Sequence, residues 1–162
     1  EENVDRPARL ALLLDSLNAV AEQWGLPVLV STHPRTRARL GDRSAHELVR
    51  FHPPFGFMGY NALQLGAACV LSDSGTIAEE STILGFPAVT LRSSIERPEA
   101  LDSGAITMTD LASAQVLAGM RFAMDRGPGV APADYCIDNT SERVVNFILS
   151  TAHQHRFWSG LR

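Results

Sequence analysis

Short apolar segments alternate with helical segments along this chain, and that alternation limits the possible folds most strongly. Apolar residues recur at helical spacing from Pro7 to Trp24, and Gly25 is suited to end this helix. The β-branched run Leu26–Thr32 follows at once and predicts a strand. Because this run is largely apolar, it is typical of a strand buried on both faces, as in a parallel sheet.

The same alternation continues towards the C-terminus. A Gly- and Pro-rich connection at 127–132 predicts a loop between the last two helices. Elements that alternate in this way predict an α/β fold, in which an open, mostly parallel sheet is covered by helices on both faces to give three layers. The further predicted strands are 48–51, 69–72 and 86–91, and the further helices are 35–40, 60–67, 76–84, 111–124 and 140–151.

Composition and charge exclude several classes of function. The 162 residues, of which 45% are hydrophobic and 20% charged, are typical of one soluble domain. The net charge of -4 argues against nucleic-acid binding, which depends on a surplus of basic residues. No apolar run approaches the roughly 20 residues that span a bilayer, and the N-terminus lacks a secretion signal. We therefore expect a cytoplasmic protein that contacts no membrane.

The basic residues and cysteines exclude several chemistries. All 14 basic residues are arginine, so neither a lysine Schiff base nor a P-loop lysine is available. Cys69 and Cys136 lack the CxxC spacing and the neighbouring His or Cys residues of a zinc site. We expect both cysteines to be buried thiols, and we expect no metal and no cofactor.

The segment best suited to ligand binding is Ser72–Thr76, between a predicted strand and a predicted helix. Ligands of open α/β sheets bind beyond the carboxyl ends of the strands. Small residues there let backbone amides approach an anion, and the helix N-terminus adds partial positive charge. This segment could therefore hold a phosphate without lysine. The alternative is that Asp73 or Ser74 only caps the helix.

Two neighbouring carboxylates, Glu79 and Glu80, lie in the early turns of that helix. A carboxylate one turn from a phosphate site can accept both hydroxyls of a ribose, as in dinucleotide-binding folds. The alternative is that these charges only stabilise the helix dipole. Each carboxylate could serve one of the two roles.

A charged loop follows the strand predicted at 86–91. It contains Arg92, Glu96, Arg97 and Glu99 around a proline. Guanidinium groups in this position could bind phosphate or orient the carboxylates. The alternative is a solvated turn, in which the charges compensate one another.

An aromatic loop and a histidine complete the candidate residues. The loop His52–Phe57 contains Pro54 and Phe55 and could stack on a base, with core packing as the alternative. His33 directly follows a predicted strand, which makes it a candidate anion or proton partner. No Ser/His/Asp triad or metal cluster follows from the spacing. The residues alone therefore predict one half of a nucleotide-binding protein.

At these residues the sequence resembles the non-hydrolysing UDP-N-acetylglucosamine 2-epimerase family. The resemblance begins at Glu2-Asn3, passes through Ser31–Pro34, and is strongest at Ser72–Glu80 and Glu96–Glu99. The family fold has two Rossmann-like domains that face each other across a cleft, the GT-B arrangement.

The resemblance implies that residues 1–162 are the C-terminal, UDP-binding domain of such an enzyme, and that 140–162 form its C-terminal helix and tail. It also implies that the N-terminal domain of the same enzyme is missing from this chain, and that the full-length protein is a homodimer.

The activity implied by the resemblance is C2 epimerisation of a UDP-2-acetamido sugar. UDP is expelled as the C2 proton is removed, and UDP then adds back to the glycal with inverted C2. Ser74 and Gly75 would hold the diphosphate, Glu80 the ribose hydroxyls, and Arg97 the phosphate, while the loop from Pro53 to Tyr60 would face the uracil. The full implied UDP-binding set is Ser74, Gly75, Thr76, Glu80, Arg97, Pro54, Phe55 and His33, supported by Glu79, Arg92 and Glu96.

The sequence also departs from the family pattern. The family's His-Arg pair would lie just upstream of Glu1, and its proton-transfer acids belong to the other domain. We therefore place the catalytic residues outside this chain and expect the chain to be inactive alone. Ser31–Pro34 replaces the usual His-x-Asn-Pro, and Thr76 replaces a glycine, which requires ordinary helical backbone angles at that residue.

The stretch 51–109 is most similar to the capsule and O-antigen branch of the family, which makes UDP-N-acetyl-L-fucosamine. Two other interpretations stay open. One is a stand-alone nucleotide-binding or assembly module without catalysis, and the other is half of a GT-B glycosyltransferase. The Glu96–Glu99 motif favours the epimerase over the glycosyltransferase.

Overall fold

The computed structural model describes residues 2–41, 43–95 and 98–160. The chain divides into two compact units, 1–132 and 133–162, and the candidate site lies in the first. The helices of the first unit are α1 (Glu2–Asp5), α2 (Pro7–Trp24), α3 (Pro34–Leu40), α4 (Phe57–Gly66), α5 (Ile77–Leu84), α6 (Glu99–Asp102) and α7 (Ser113–Arg126). Its strands are β1 (Val28–Ser31), β2 (Val49–His52), β3 (Val70–Ser72), β4 (Ala88–Leu91) and β5 (Thr107–Thr109).

The strands pair in parallel, as the sequence predicts. β1 pairs with β2, so that Val28 lies opposite Val49. β4 pairs with β3 on one side and with β5 on the other. Among the described residues these are two separate hydrogen-bonded ladders instead of one continuous sheet. Apolar packing connects them, because Leu13 of α2 and Val28 of β1 pack against the core of each ladder.

Helices cover both faces of the three-stranded ladder. All four residues of β4 are buried, which requires cover on both sides. On one face Val89 and Leu91 pack with Val116 and Met120 of α7 and with Val20 of α2. The helix α5 also packs on β4, and strand alternation leaves the opposite face for it. The predicted three-layer α/β fold is thereby confirmed.

Glycines end two helices where the sequence predicts. Gly25 follows α2 with a φ of 61°, and its amide donates to the carbonyl of Ala21. Gly85 follows α5 with a φ of 77°, and its amide donates to the carbonyl of Ser81. This left-handed conformation costs glycine little and other residues more, so both helices end at these glycines.

The structure corrects the sequence at several further places. Strand β1 is not buried on both faces, because its residues alternate between partly buried and exposed and Leu29 is 44% exposed. Helix α4 begins at Phe57, three residues before the predicted start, and the amide of Tyr60 donates to the carbonyl of Gly56 at 2.9 Å. The part of the predicted uracil-facing loop beyond Gly56 is therefore helical. Cys136, which belongs to the second unit, is exposed, whereas Cys69 is partly buried. Strand β5 was not predicted.

The second unit consists of short helical elements. A 3₁₀ turn at Ala133–Tyr135 precedes α8 (Thr140–Thr151), which has its predicted bounds, and a second 3₁₀ turn at Ala152–Gln154 leads into α9 (His155–Trp158). No residue of α8 is buried. Within the residues that the structure describes, no helix is both long enough and apolar enough to cross a membrane.

Candidate functional site

The turn between β3 and α5 brings the central predicted residues together. Ser72 ends β3, and its hydroxyl oxygen accepts from the amide of Ser74 at 3.1 Å. The hydroxyl oxygen of Ser74 accepts in turn from the amide of Thr76 at 3.3 Å. The serines thus satisfy two amides of the turn. The N-cap residue of α5 is Thr76, and its side chain makes no capping hydrogen bond, so the described residues do not show the helix capped by Asp73 or Ser74. The hydroxyls of Ser74 and Thr76 remain exposed at the N-terminal end of α5.

The threonine in this turn has ordinary backbone angles. Thr76 has a φ of -86° and a ψ of -5°, which lies near the helical region that every residue type can adopt. A threonine can therefore replace the family's glycine at this position without backbone strain.

A hydrogen-bonded network fixes the carboxylate of Glu80. The Thr76 hydroxyl donates to Oε1 at 2.7 Å, and Nε2 of Gln64 donates to Oε2 at 2.8 Å. Ser74 Oγ lies 2.9 Å from Thr76 Oγ1. A carboxylate only accepts, so the Thr76 proton points at Glu80 and the Ser74 proton points at Thr76. These contacts go to Glu80 and not to its partly buried neighbour Glu79, so the structure distinguishes the two carboxylates.

Tyr60 lies close to the same carboxylate. Burial raises the pKa of the Tyr60 phenol above its ordinary value, and the negative charges of Glu80 and Asp73 raise it further. The phenol therefore stays protonated at neutral pH and keeps its donor. Tyr60 and Gln64 lie four residues apart and so share one face of α4. Tyr60 ends the segment that the resemblance places near the uracil, whereas our site prediction missed Gln64, for which this spacing was the only signal in the sequence.

The aromatic loop leads into α4. Pro54 is exposed and Phe55 partly buried, and the ring of Phe55 lies 5.4 Å from the ring of His52 at a tilt of 37°. This contact joins two residues of the predicted loop, and Phe57 is 79% exposed and so does not pack in the core. Stacking of Phe55 on a base stays a prediction.

His33 has a local structural role. Its Nδ1 accepts from the amide of Arg35 at 3.2 Å and so caps α3. The same helix holds α1, because Arg35 and Arg39 pair with the carboxylate of Asp5 at 2.9 and 3.3 Å. Contact of His33 with a ligand stays a prediction.

A second polar network lies at the carboxyl end of β4. Asn3 is buried, and its amide nitrogen donates to the carbonyl of Leu91 at 2.8 Å. Arg9 donates to the Asn3 side-chain oxygen at 2.8 Å and pairs with Asp110 at 3.0 Å. Helix α1 is therefore fixed to the end of the sheet at which ligands of such folds bind.

Arg92 directly follows β4 and is partly exposed. It borders an open groove of about 650 Å³ beside β5 and α7. Of the predicted site residues that the structure describes, Arg92 alone lines this groove. Glu96 and Arg97 lie outside the described residues. The groove is lined by Arg92, Ser93, Thr107, Met108, Thr109, Asp110, Gln115, Ala118 and Gly119.

Residues 1–149 match the family described as UDP-N-acetylglucosamine 2-epimerase. The chain belongs to this family. The UDP-N-acetylglucosamine 2-epimerase of Methanocaldococcus jannaschii is 33% identical over 110 residues, which are 64% of this chain and 30% of that protein. The UDP-2,3-diacetamido-2,3-dideoxy-D-glucuronate 2-epimerase of Pseudomonas aeruginosa is 29% identical over 77% of this chain and 35% of that protein.

Solved structures of epimerases show the same fold. The Rickettsia bellii UDP-N-acetylglucosamine 2-epimerase superposes with a TM-score of 0.79 at 34% identity, over 91% of this chain and 43% of that one. The M. jannaschii enzyme in complex with UDP-GlcNAc and UDP superposes with a TM-score of 0.80 at 26% identity, over 92% of this chain and 42% of that one. The chain thus spans less than half the length of these epimerases, and its fold matches part of a GT-B-type enzyme.

Proposed function

We propose that this chain binds UDP, and that it is the nucleotide-binding part of a UDP-2-acetamido-sugar 2-epimerase. One observation carries the proposal. Gln64 and Thr76 hold both oxygens of Glu80 beside a turn of small residues at the start of α5. This arrangement offers a fixed carboxylate for ribose hydroxyls next to a region of partial positive charge for phosphate. Family membership and the UDP complex of the M. jannaschii relative support it.

In this proposal Ser74 and Gly75 contact the diphosphate, and Glu80 accepts from the ribose hydroxyls. Because a phosphate oxygen only accepts, the Ser74 hydroxyl turns its proton from Thr76 to the phosphate when UDP binds. Arg97 supports the phosphate.

The other predicted contacts complete the proposed nucleotide site. Pro54 and Phe55 face the uracil, His33 lies on the phosphate side, and the site is supported by Glu79, Arg92 and Glu96. Thr76 contributes through Glu80.

The proposed reaction inverts C2 of the sugar in two steps. A base removes the C2 proton while the C1–O bond breaks and its electron pair leaves with UDP, giving the glycal. UDP then adds back at C1, and an acid delivers a proton to the opposite face of C2. Both steps need positioned proton-transfer groups. The carboxylates at this site are committed to the nucleotide, so we propose that these groups belong to the rest of the protein and that the chain alone is inactive.

The substrate branch is a finer part of the proposal. The similarity of residues 51–109 to the enzymes that make UDP-N-acetyl-L-fucosamine supports a role in capsule or O-antigen synthesis. We further propose that the full-length protein acts as a homodimer in the cytoplasm.

Titration calorimetry with UDP, CDP and UMP tests the binding. We expect weak binding that is strongest for UDP, because the phosphate and ribose groups are present without a closing domain. Equal binding of the three nucleotides, or no binding, would contradict the proposal. Proton NMR in D₂O tests the chemistry. Deuterium should enter C2 of the UDP-sugar with a protein in which the N-terminal domain precedes this chain, and not with residues 1–162 alone.

A further inference from the structure

Helix α4 buries its glutamine and exposes its leucines. Gln64 is only 3% exposed, whereas the flanking Leu63 and Leu65 are 38% and 54% exposed. An amphipathic helix that packs on a core does the reverse. The buried face of α4 therefore makes a polar contact at Gln64.

The hydrogen bonds of Gln64 show which contact that is. Nε2 donates to Oε2 of Glu80 at 2.8 Å, whereas Oε1 is buried and has no hydrogen-bond partner among the described residues. The amide cannot be reversed, because a carboxylate needs a donor. A buried carbonyl oxygen without a partner costs folding free energy. A leucine of similar volume would avoid that cost, so stability of the fold alone does not account for the glutamine.

We propose that Gln64 and Thr76 are positioning residues, which hold the Glu80 carboxylate so that it accepts from both ribose hydroxyls of a nucleotide. This inference rests on the proposed function. Each oxygen of Glu80 accepts one hydrogen bond from the protein and keeps further acceptor capacity. Two donors on opposite oxygens fix the rotation of the carboxylate plane. The neighbouring 2′- and 3′-hydroxyls of a ribose then meet one oxygen each, without the loss of side-chain entropy that a free glutamate would incur.

Thr76 also connects the ribose group to the phosphate turn. Its proton goes to Glu80, so its oxygen accepts from Ser74. A change at Thr76 therefore affects the carboxylate directly and Ser74 through one hydrogen bond. Gln64 contacts the carboxylate from α4, outside the turn. Both residues donate to Glu80. If variants of each residue lose ribose recognition, the change in Glu80 therefore accounts for the loss.

The test measures by calorimetry the affinities for UDP and for its 2′,3′-dideoxy analogue. The affinity for UDP divided by the affinity for the analogue reports recognition of the ribose hydroxyls. The variants are Gln64→Leu, Thr76→Val and Thr76→Ser. The control is Gln115→Leu, the same substitution at an exposed position of α7. We expect the first two variants to lower the ratio by about tenfold, as for loss of one hydrogen bond to a charged group. Thr76→Ser and Gln115→Leu should keep the wild-type ratio.

Thermal unfolding separates positioning from a structural role. Gln64→Leu removes both the buried unpaired carbonyl and the hydrogen bond to Glu80, and these two effects on stability oppose each other. Its melting temperature should therefore stay close to that of the wild type while the ratio falls. If Gln64→Leu weakens both nucleotides equally and melts earlier, Gln64 is structural and the inference is overturned. If the wild type prefers UDP and the ratio survives in Gln64→Leu and Thr76→Val, the inference fails while the proposed function stands. If the wild type binds UDP and the dideoxy analogue equally, the assignment of Glu80 to the ribose hydroxyls is wrong, and the inference that depends on it is wrong as well.

Discussion

Gly119→Ala adds a methyl group where α7 packs on β5. A Cβ at residue 119 would lie 2.7 Å from Cγ2 of Thr109 and 3.5 Å from Cγ2 of Thr107. The first distance is well inside van der Waals contact, and overpacking of this kind costs about 1–3 kcal/mol. Replacement of a helical glycine by alanine contributes about 1 kcal/mol in the other direction. The free energy of unfolding should therefore fall by a net of roughly 0–2 kcal/mol.

Gly59→Ala is the matched control. Gly59 lies inside α4, and no atom of the described residues outside the backbone of this helix lies within 4 Å of the point that a Cβ at this residue would occupy. The helix-propensity gain is then unopposed, so the free energy of unfolding should rise by roughly 0.5–1 kcal/mol. Adding Thr109→Ser to Gly119→Ala removes the methyl group that causes the overlap and keeps the hydroxyl. The pair should recover most of the stability lost at Gly119.

Urea denaturation followed by far-UV circular dichroism measures these changes. A shift of the unfolding midpoint, with the dependence of the free energy on urea unchanged, reports a change of stability. The two glycine substitutions should shift the midpoint in different directions or by clearly different amounts. If Gly119→Ala stabilises the chain as much as Gly59→Ala does, α7 does not approach β5 as closely as described, and the reasoning is refuted.

Three further predictions concern the site and the cysteines. Glu80→Ala should weaken UDP binding more than Glu79→Ala, by roughly 1.5–3 kcal/mol, and identical calorimetric titrations would remove the ribose assignment. Near neutral pH, iodoacetamide should modify exposed Cys136 and spare Cys69, because burial raises the pKa of the Cys69 thiol to about 11; equal labelling by mass spectrometry would contradict this. Since that pKa lies above its ordinary 9.0, stability that is complete below pH 9.0 should fall as the pH rises to about 11, by at most roughly 3 kcal/mol. A Cys69→Ala variant should lack this fall. If the free energy of unfolding of the wild type and of the variant changes in the same way with pH, the prediction is wrong.

The regular elements could be predicted where local signals were strong. The bounds of α2 and α8 agree with the predictions, because both helices are long and periodic and α2 has a proline at its start and a glycine after its end. Strands β1 to β4 were found but are shorter than predicted or shifted by a residue, since apolar runs extend beyond the paired residues. Strand β5 was missed because Thr107–Thr109 is only three residues long and has a single apolar side chain. Its pairing depends on β4, a distant part of the chain.

The candidate site was predictable to a similar extent. Small residues after a buried strand indicated the turn with Ser74 and Thr76, and two glutamates indicated a carboxylate. The choice between Glu79 and Glu80 came from the resemblance, and the structure adds the hydrogen bonds that distinguish them. The burial of Gln64 could not be predicted, because it depends on a contact with a residue 16 positions further along the chain.

The central claim is that UDP binds at the turn between β3 and α5. A ¹H–¹⁵N correlation spectrum of the chain, recorded during titration with UDP, tests it most directly. The amides of Ser74, Gly75 and Thr76 and the side-chain amide of Gln64 should shift together, with one common affinity. Shifts confined to the groove beside Arg92 and Asp110, or no shifts at saturating UDP, would contradict the account.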